Sequence, residues 1–198
     1  VALLRALAND PTIVLGDDAG GLAAFGLADS LYLDLSELGR FGDGFVEIVF
    51  GSEEGAHVFY LGDPTTDLGQ PNFRDPLLIL SPARGGEVFI YDRLIGLGDA
   101  SLYIGGSGST TTLAADISMP GSVTINDSIK ASGVRAINSG AGSLNLGGKA
   151  AHTIDGDGAA GNDLLSISAD KNVTFTGTVG GVDPLEGIVI ATSGDVHF

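Results

Sequence analysis

Cysteine is absent from this 198-residue chain, which excludes disulfides and thiolate metal sites. Basic residues are few: nine Lys plus Arg stand against 25 Asp plus Glu, a net charge of −16. Such a chain repels a phosphate backbone or an anionic lipid surface, so no nucleic-acid partner is expected. The imbalance is steeper in residues 1–99, with 16 acids and five bases, than in residues 100–198, with nine and four. No apolar run reaches the roughly 18 residues of a spanning helix, so no membrane insertion is expected in this segment. Periodic runs of helix formers are scarce as well.

What is present points to strands. Glycine contributes 32 residues, Ser, Thr, Asn and Asp are abundant, and 43% of the chain is apolar, a composition suited to many short strands joined by tight turns. The opening Val1-Ala-Leu-Leu-Arg-Ala-Leu-Ala8 has the apolar character of a signal peptide. It lacks a basic stretch before it and runs into Asn9-Asp10-Pro11, so it is read as a capping turn or short helix. The sequence starts without Met and stops at Gly194-Asp-Val-His-Phe198, inside a strand pattern, as a fragment of a longer protein would.

An internal rhythm organises the second half. A signature of a small or polar residue, then Val/Leu/Ile, any residue, and Ile/Leu/Phe occurs as Ser101-Leu-Tyr-Ile104, Ser122-Val-Thr-Ile125 and Ser143-Leu-Asn-Leu146. Leu164-Leu-Ser-Ile167 continues it, so the starts at 101, 122, 143 and 164 are evenly spaced. Gly187-Ile-Val-Ile190 follows and Leu77-Leu-Ile-Leu80 precedes the series, both at slightly longer steps. A second set is interleaved: Glu87-Val-Phe-Ile90, Thr110-Thr-Thr-Leu113, Val134-Arg-Ala-Ile137, Ala151-His-Thr-Ile154, Asn172-Val-Thr-Phe175 and Asp195-Val-His-Phe198. Some units add a third apolar pair, as in Asp92-Arg-Leu-Ile-Gly96 or Gly177-Thr-Val179.

Strand residues alternate faces, so Leu102/Ile104, Val123/Ile125, Leu144/Leu146, Leu165/Ile167 and Ile188/Ile190 are expected to form one aliphatic stack, with Tyr103, Thr124, Asn145, Ser166 and Val189 outside. A coil of about 21 residues cannot bury its apolar face alone, and stacking coils solves this. The expected fold is all-β, a parallel β-solenoid (β-helix) with coils of about 21 residues. An antiparallel β-sandwich is the alternative that the strand lengths permit, but it has no reason to repeat.

Residues 1–76 are less regular. Thr12-Ile-Val-Leu15, Ser30-Leu-Tyr-Leu-Asp-Leu35, Phe45-Val-Glu-Ile-Val-Phe50 and Ala56-His-Val-Phe-Tyr-Leu61 read as strands, and Ser36-Glu-Leu-Gly-Arg40 as one helical turn. The two strands within residues 45–61 form a hairpin or the corner of a wider coil. Residues 62–76, with three prolines, read as a loop. The division is therefore 1–76, a β-rich segment of wider coils of the same solenoid, and 77–198, regular repeats.

The run SISADKNVTFTGTVGGVDPLEGIVIATSGDVHF, with TTTLAADISMPGSVTINDSIKASG before it, resembles the repeats of very large bacterial surface proteins of the filamentous-haemagglutinin and autotransporter-like kind. The resemblance covers residues 77–198. It implies a long β-solenoid adhesin, extracellular or on the bacterial cell surface, serving adhesion, biofilm or cell contact, and it carries no catalytic residue to transfer.

The densest group of metal-ligand types is GDGAAGNDLLSI at residues 156–167. It fits the calcium nonapeptide at Gly158, Gly161, Asp163 and Leu165. That site is built between tandem copies, and neither residues 149–157 nor 167–175 fit. An EF-hand starting at Asp155 fails at Ala159, Ala160 and Ser166. A solvated corner is the preferred reading, with Asp155, Asp157 and Asp163 as the ligands if calcium binds; no other cofactor is expected.

For polysaccharide chemistry, carboxylates on adjacent rungs are needed, and Asp92 with Arg93 and Asp116 with Asp127 are the pairs at comparable repeat positions. His57, His152 and His197 read as surface ladder residues, His197 in the row of Thr174. Gly147-Gly-Lys-Ala150 lacks the phosphate-loop pattern, and Gly106-Ser-Gly108 has no accompanying His and acid. Asn126 and Asn172 begin glycosylation-type triplets of little weight. Phe89, Tyr91 and Tyr103 are read as a cluster on one outer face, suited to a sugar ring, another subunit, or stabilisation of the stack.

The expected function is a non-enzymatic structural or adhesive segment of a large secreted or surface protein, forming a stiff fibre. Its expected partners are further solenoid repeats or copies of itself end to end, and a carbohydrate or cell-surface receptor. A calcium-stabilised binding module and a polysaccharide-active β-helix enzyme are the alternatives.

Overall fold

The computed structural model describes residues 2–4, 13–15, 31–53, 57–64, 70–81, 85–106, 108–159 and 162–198. The chain enters through β1 (Ala2–Leu4), β2 (Ile13–Leu15), β3 (Leu31–Leu33) and a single turn of helix, α1 (Leu35–Leu38). Six coils follow. They are β4 (Ile48–Gly51), β5 (Val58–Leu61), β6 (Asn72–Phe73); β7 (Leu77–Leu80), β8 (Glu87–Ile90), β9 (Leu94–Gly96); β10 (Leu102–Gly105), β11 (Thr110–Leu113), β12 (Ile117–Met119). Next come β13 (Val123–Ile125), β14 (Ser128–Ala131), β15 (Val134–Ser139); β16 (Leu144–Leu146), β17 (Thr153–Gly156), β18 (Leu164–Ala169); and β19 (Val173–Phe175), β20 (Thr178–Val179), β21 (Gly187–Thr192). β22 (Val196–His197) begins another.

The first strands of the coils pair into one sheet, the second strands into another and the third strands into a third. Every pairing among the described residues is parallel. The chain is a three-sided parallel β-solenoid, and the antiparallel sandwich is excluded. In the short strands β9, β12, β13, β16 and β19 the outer residues are buried and the middle one half-exposed, the alternation that a pleat with one wet face demands.

The register turns that alternation into columns. Leu77, Leu102, Val123, Leu144 and Val173 lie one above the next, as do Ile79, Ile104, Ile125, Leu146 and Phe175. On the second side Phe59, Val88, Thr111, Ile129 and Ile154 align, and on the third Leu94, Ile117, Ile137, Ile167 and Ile190. One cluster of buried side chains runs from Ile13 to Phe175. The ladders β4–β7 and β5–β8 carry it across residue 76 without a break. In the coil of β4, one phenylalanine from each side fills the interior: Phe50 lies 6.3 Å from Phe59 and 6.4 Å from Phe73, all three buried.

The even rhythm holds only from Leu102 to Val123 to Leu144. Leu164-Leu-Ser-Ile167 does not continue that stack. It lies in β18 on the third side, against β15, and Gly187-Ile-Val-Ile190 follows it there. The coil of β16 has longer corners, at positions 147–152 and 157–163, so its own third strand falls where an even rhythm puts the first strand of the next coil. The first side resumes only at Val173, the register partner of Leu144. Val134 likewise belongs to the third side, and Val173 and Val196 to the first.

Other expectations need adjusting too. The third strand is present in every complete coil, including Ile117–Met119, which the repeat signature misses. The second strand Ser128–Ala131 also lacks the signature, having one strong hydrophobe only. Residues 62–76 are not all loop, because β6 sits there, entered from Pro71 as a strand can be from its first position. Residues 45–61 form a coil corner, since β4 and β5 belong to different sheets. Within residues 1–8, Ala2–Leu4 is a strand on β4 instead of a turn or helix; the rest of that stretch lies outside the described residues.

Two features make the ends unlike. Beyond β2, β3 adds a further strand, and α1 follows with a capping box: Glu37 N–H donates to Asp34 Oδ1 at 2.8 Å, and Asp34 N–H to Glu37 Oε2 at 3.1 Å. Leu38 is buried in the core cluster and Phe41 packs edge-on to Phe50 at 6.0 Å. At the opposite end Val196 is 39% and Phe198 84% exposed, although Val196 continues the column of Val173 and Phe198 stacks on Phe175 at 5.0 Å.

Ile125→Ala, which opens a hole in the first side's core, is expected to lower unfolding free energy by about 2–5 kcal/mol in urea titration. Thr124→Ala, on the outer face of the same strand, is expected to change it by less than about 1 kcal/mol.

Candidate functional site

Corners break the ladders, and aspartates restore the lost hydrogen bonds. Asp127 is fully buried; its carboxylate accepts from Ser81 Oγ at 3.1 Å, Thr111 Oγ1 at 3.1 Å and Gly106 N–H at 3.3 Å. It thereby satisfies the one hydroxyl, that of Thr111, which interrupts the apolar column of the second side. Asp116 accepts from Ala136 N–H at 2.8 Å and Asp75 from Gly44 N–H at 3.0 Å. These last two bonds each join one coil to its neighbour.

The candidate calcium ligands belong to the same class. Asp155, 4% exposed, accepts from Gly181 N–H at 2.6 Å and more weakly from Val182 N–H. Asp163, 6% exposed, accepts from Gly133 N–H at 2.8 Å through Oδ1 and from Asp157 N–H at 3.1 Å through Oδ2. Asp157 accepts from Ala159 N–H at 2.7 Å. The Ser132 side chain, then the Ala159 N–H and the Lys130 charge, hold the Asp157 carboxyl below the usual carboxylate range. The sequence puts these three acids at one corner; the structure gives their oxygens backbone N–H partners. Ala160 and Gly161 lie outside the described residues, and among the described residues no group of three or more His, Asp or Glu is placed to hold a metal ion.

The paired acids named from the repeat separate. Asp127 lies inside its corner, whereas Asp92, itself largely buried, comes together with Arg93 and Asp116 at a surface groove. They line a groove of about 420 Å³ with Asp63, Tyr91 and Arg135. Its origin is a change of residue size between coils. Ile90 aligns with Leu61 and Leu113, so Tyr91-Asp92 is followed one rung on by Ala114-Ala115, and the two alanines leave the depression. Tyr91 and Asp92 are pinned by N–H bonds to Leu61 O at 2.8 and 3.1 Å. Asp63 escapes a reading by repeat position because its coil takes the long step from Ile48 to Leu77, and Arg135 because Val134–Ser139 is a strand of the third side. The recurrence Leu61-Gly-Asp63 and Ile90-Tyr-Asp92 is the available signal.

The aromatic cluster is Tyr60, Phe89 and Tyr91. Tyr60 and Phe89 are cross-strand partners with rings 5.1 Å apart, and Tyr91 stacks at 5.5 Å from Phe89 and 6.1 Å from Tyr60, all within 11° of parallel. Tyr103 does not join it; it is on the first side, where its hydroxyl oxygen accepts from Asn126 Nδ2 at 3.3 Å. Burial above all, with the Glu87 carboxylate, raises the Tyr60 phenol above its ordinary value, and burial, Tyr60 and Glu87 do the same for Tyr91.

The histidines differ from expectation. His57 and His152 are buried just ahead of β5 and β17, because the chain turns inward there; His57 lies 3.3 Å from Leu80 O. Only His197 is an exposed ladder residue, opposite Thr174. Lys149 is exposed on a corner that Gly147 turns at φ +69°. No protein-family model, curated protein or solved structure matches the chain.

Asp127→Ala leaves two hydroxyls and an N–H without their acceptor and is expected to cost about 3 kcal/mol of unfolding free energy in urea titration. The raised phenols titrate late. Tyr60 and Tyr91 contribute stability that is complete below pH about 10 and is lost as pH rises through their folded values. Absorbance at 295 nm is expected to show a late component that disappears in the Tyr60→Phe/Tyr91→Phe double variant.

Proposed function

We propose that this chain is a non-enzymatic segment of a long β-solenoid in a secreted or surface-attached bacterial protein, a stiff rod that serves adhesion, cell contact or assembly. The observation that carries the reading is the unbroken run of inward columns on three sides. Seven rung spacings of about 4.8 Å on the first side make the stack about 34 Å tall. Its growth face is the rung of β19, β20 and β21 with β22, where Val196, Phe198 and the edge backbone invite another β-rung. The repeat character of residues 77–198 and its resemblance to adhesin solenoids support the same role.

Because the two ends differ, copies of the isolated chain meet growth face to growth face. Sedimentation velocity is expected to show a concentration-dependent dimer that Phe198→Asp abolishes. A wild-type chain that stays monomeric at hundreds of micromolar would sink the growth-face reading. The same preparations are expected to melt at one temperature with and without EDTA, since the Asp155, Asp157 and Asp163 corner is held by backbone N–H groups. A drop of many degrees on chelation would favour a calcium-stabilised module instead.

A further inference from the structure

The outer groove at Tyr91 is independent of the rod reading. About 420 Å³ is within the range of small-molecule sites. It is lined by the carboxylates of Asp63 and Asp92, both largely buried, and of Asp116, which accept hydrogen bonds, and by the guanidiniums of Arg93 and Arg135, which donate them. A ligand matched to that pattern carries many groups that do both, and the hydroxyls of a sugar ring are such groups. Arg93 is exposed beside the groove and Arg135 is half-buried, with an Nε that finds no acceptor in the protein. Tyr91 adds a ring held rigid by Phe89 and Tyr60, a flat apolar partner for the C–H face of a pyranose. The wall is also fixed before any ligand arrives, since the backbone N–H groups of Tyr91 and Asp92 are tied to the previous coil, which lowers the entropy cost of binding.

Charge selects among sugars. Three carboxylates and two guanidiniums leave the groove negative within a chain of net charge −16, so a polyuronate is repelled. We propose that the groove lined by Asp63, Tyr91, Asp92, Arg93, Asp116 and Arg135 binds hexopyranose units of a neutral polysaccharide. Arg93 and Asp116 contact ring hydroxyls, and Tyr91 packs against the ring face.

The test titrates the full chain, by calorimetry and by tyrosine fluorescence, with neutral hexasaccharides of glucose, mannose and galactose and with hexagalacturonate. At least one neutral hexasaccharide is expected to bind and to perturb the fluorescence. Arg93→Ala and Asp116→Asn are expected to weaken it about tenfold or more. Both variants should melt like the wild type, because Arg93 is exposed and Asn keeps an acceptor for Ala136 N–H. Tighter binding of hexagalacturonate, no binding of any neutral hexasaccharide at millimolar concentration, or wild-type affinity in both variants would overturn the proposal. None of these outcomes bears on whether the chain dimerises through its growth face.

Discussion

Each inner strand of this protein exchanges hydrogen bonds, as donor and as acceptor, with the strand one coil earlier and with the strand one coil later. That parallel pairing dictates what may follow it in the sequence. A residue that faces inward in one coil stands over an inward residue of the next, so Leu102, Val123, Leu144 and Val173 have to be apolar together. The constraint also reaches the corners, where coils approach so closely that a Cβ at Gly142 would collide with the Ser122 backbone. Where the ladder gives out, a carboxylate takes over the backbone groups that it abandons, and Asp127, Asp155 and Asp163 each reach a neighbouring coil.

The solenoid was legible because the two-residue alternation of strands and the recurrence of coils are both written in the order of residues. Side and rung were harder to read. Leu164-Leu-Ser-Ile167 has the signature of a first-side strand and the right distance from Ser143, yet it lies on the third side. Inward faces of all three sides want the same aliphatic residues, so local pattern carries no label for the side. Only corner length does, and corners lengthen in the coils of β4 and β16. Ser128–Ala131 was invisible for a related reason: with Ala131 as its second inward residue, its pairing owes more to the neighbours above and below than to its own hydrophobicity.

The groove at Tyr91 was half legible. Asp92, Arg93 and Asp116 stood out as comparable repeat positions, whereas Asp63 joins them only once the long step from Ile48 to Leu77 is known to be one coil, and Arg135 only once Val134–Ser139 is placed on the third side. Asp127 shows the converse. The sequence pairs it with Asp116 by repeat position, but Thr111 inside the neighbouring column and Ser81 a further coil away draw it inward.

The corner aspartates bear on how the molecule carries load. Tension along the solenoid axis pulls directly on the bonds between coils, and the three sheets share it as parallel springs. Corners have few ladder bonds and would be where a tear starts. Asp127 ties Gly106, Thr111 and Ser81 across that seam, and Asp163 ties Gly133, so the stitches sit where a crack would open. The corner carboxylates thus add cross-coil bonds where the ladders themselves stop.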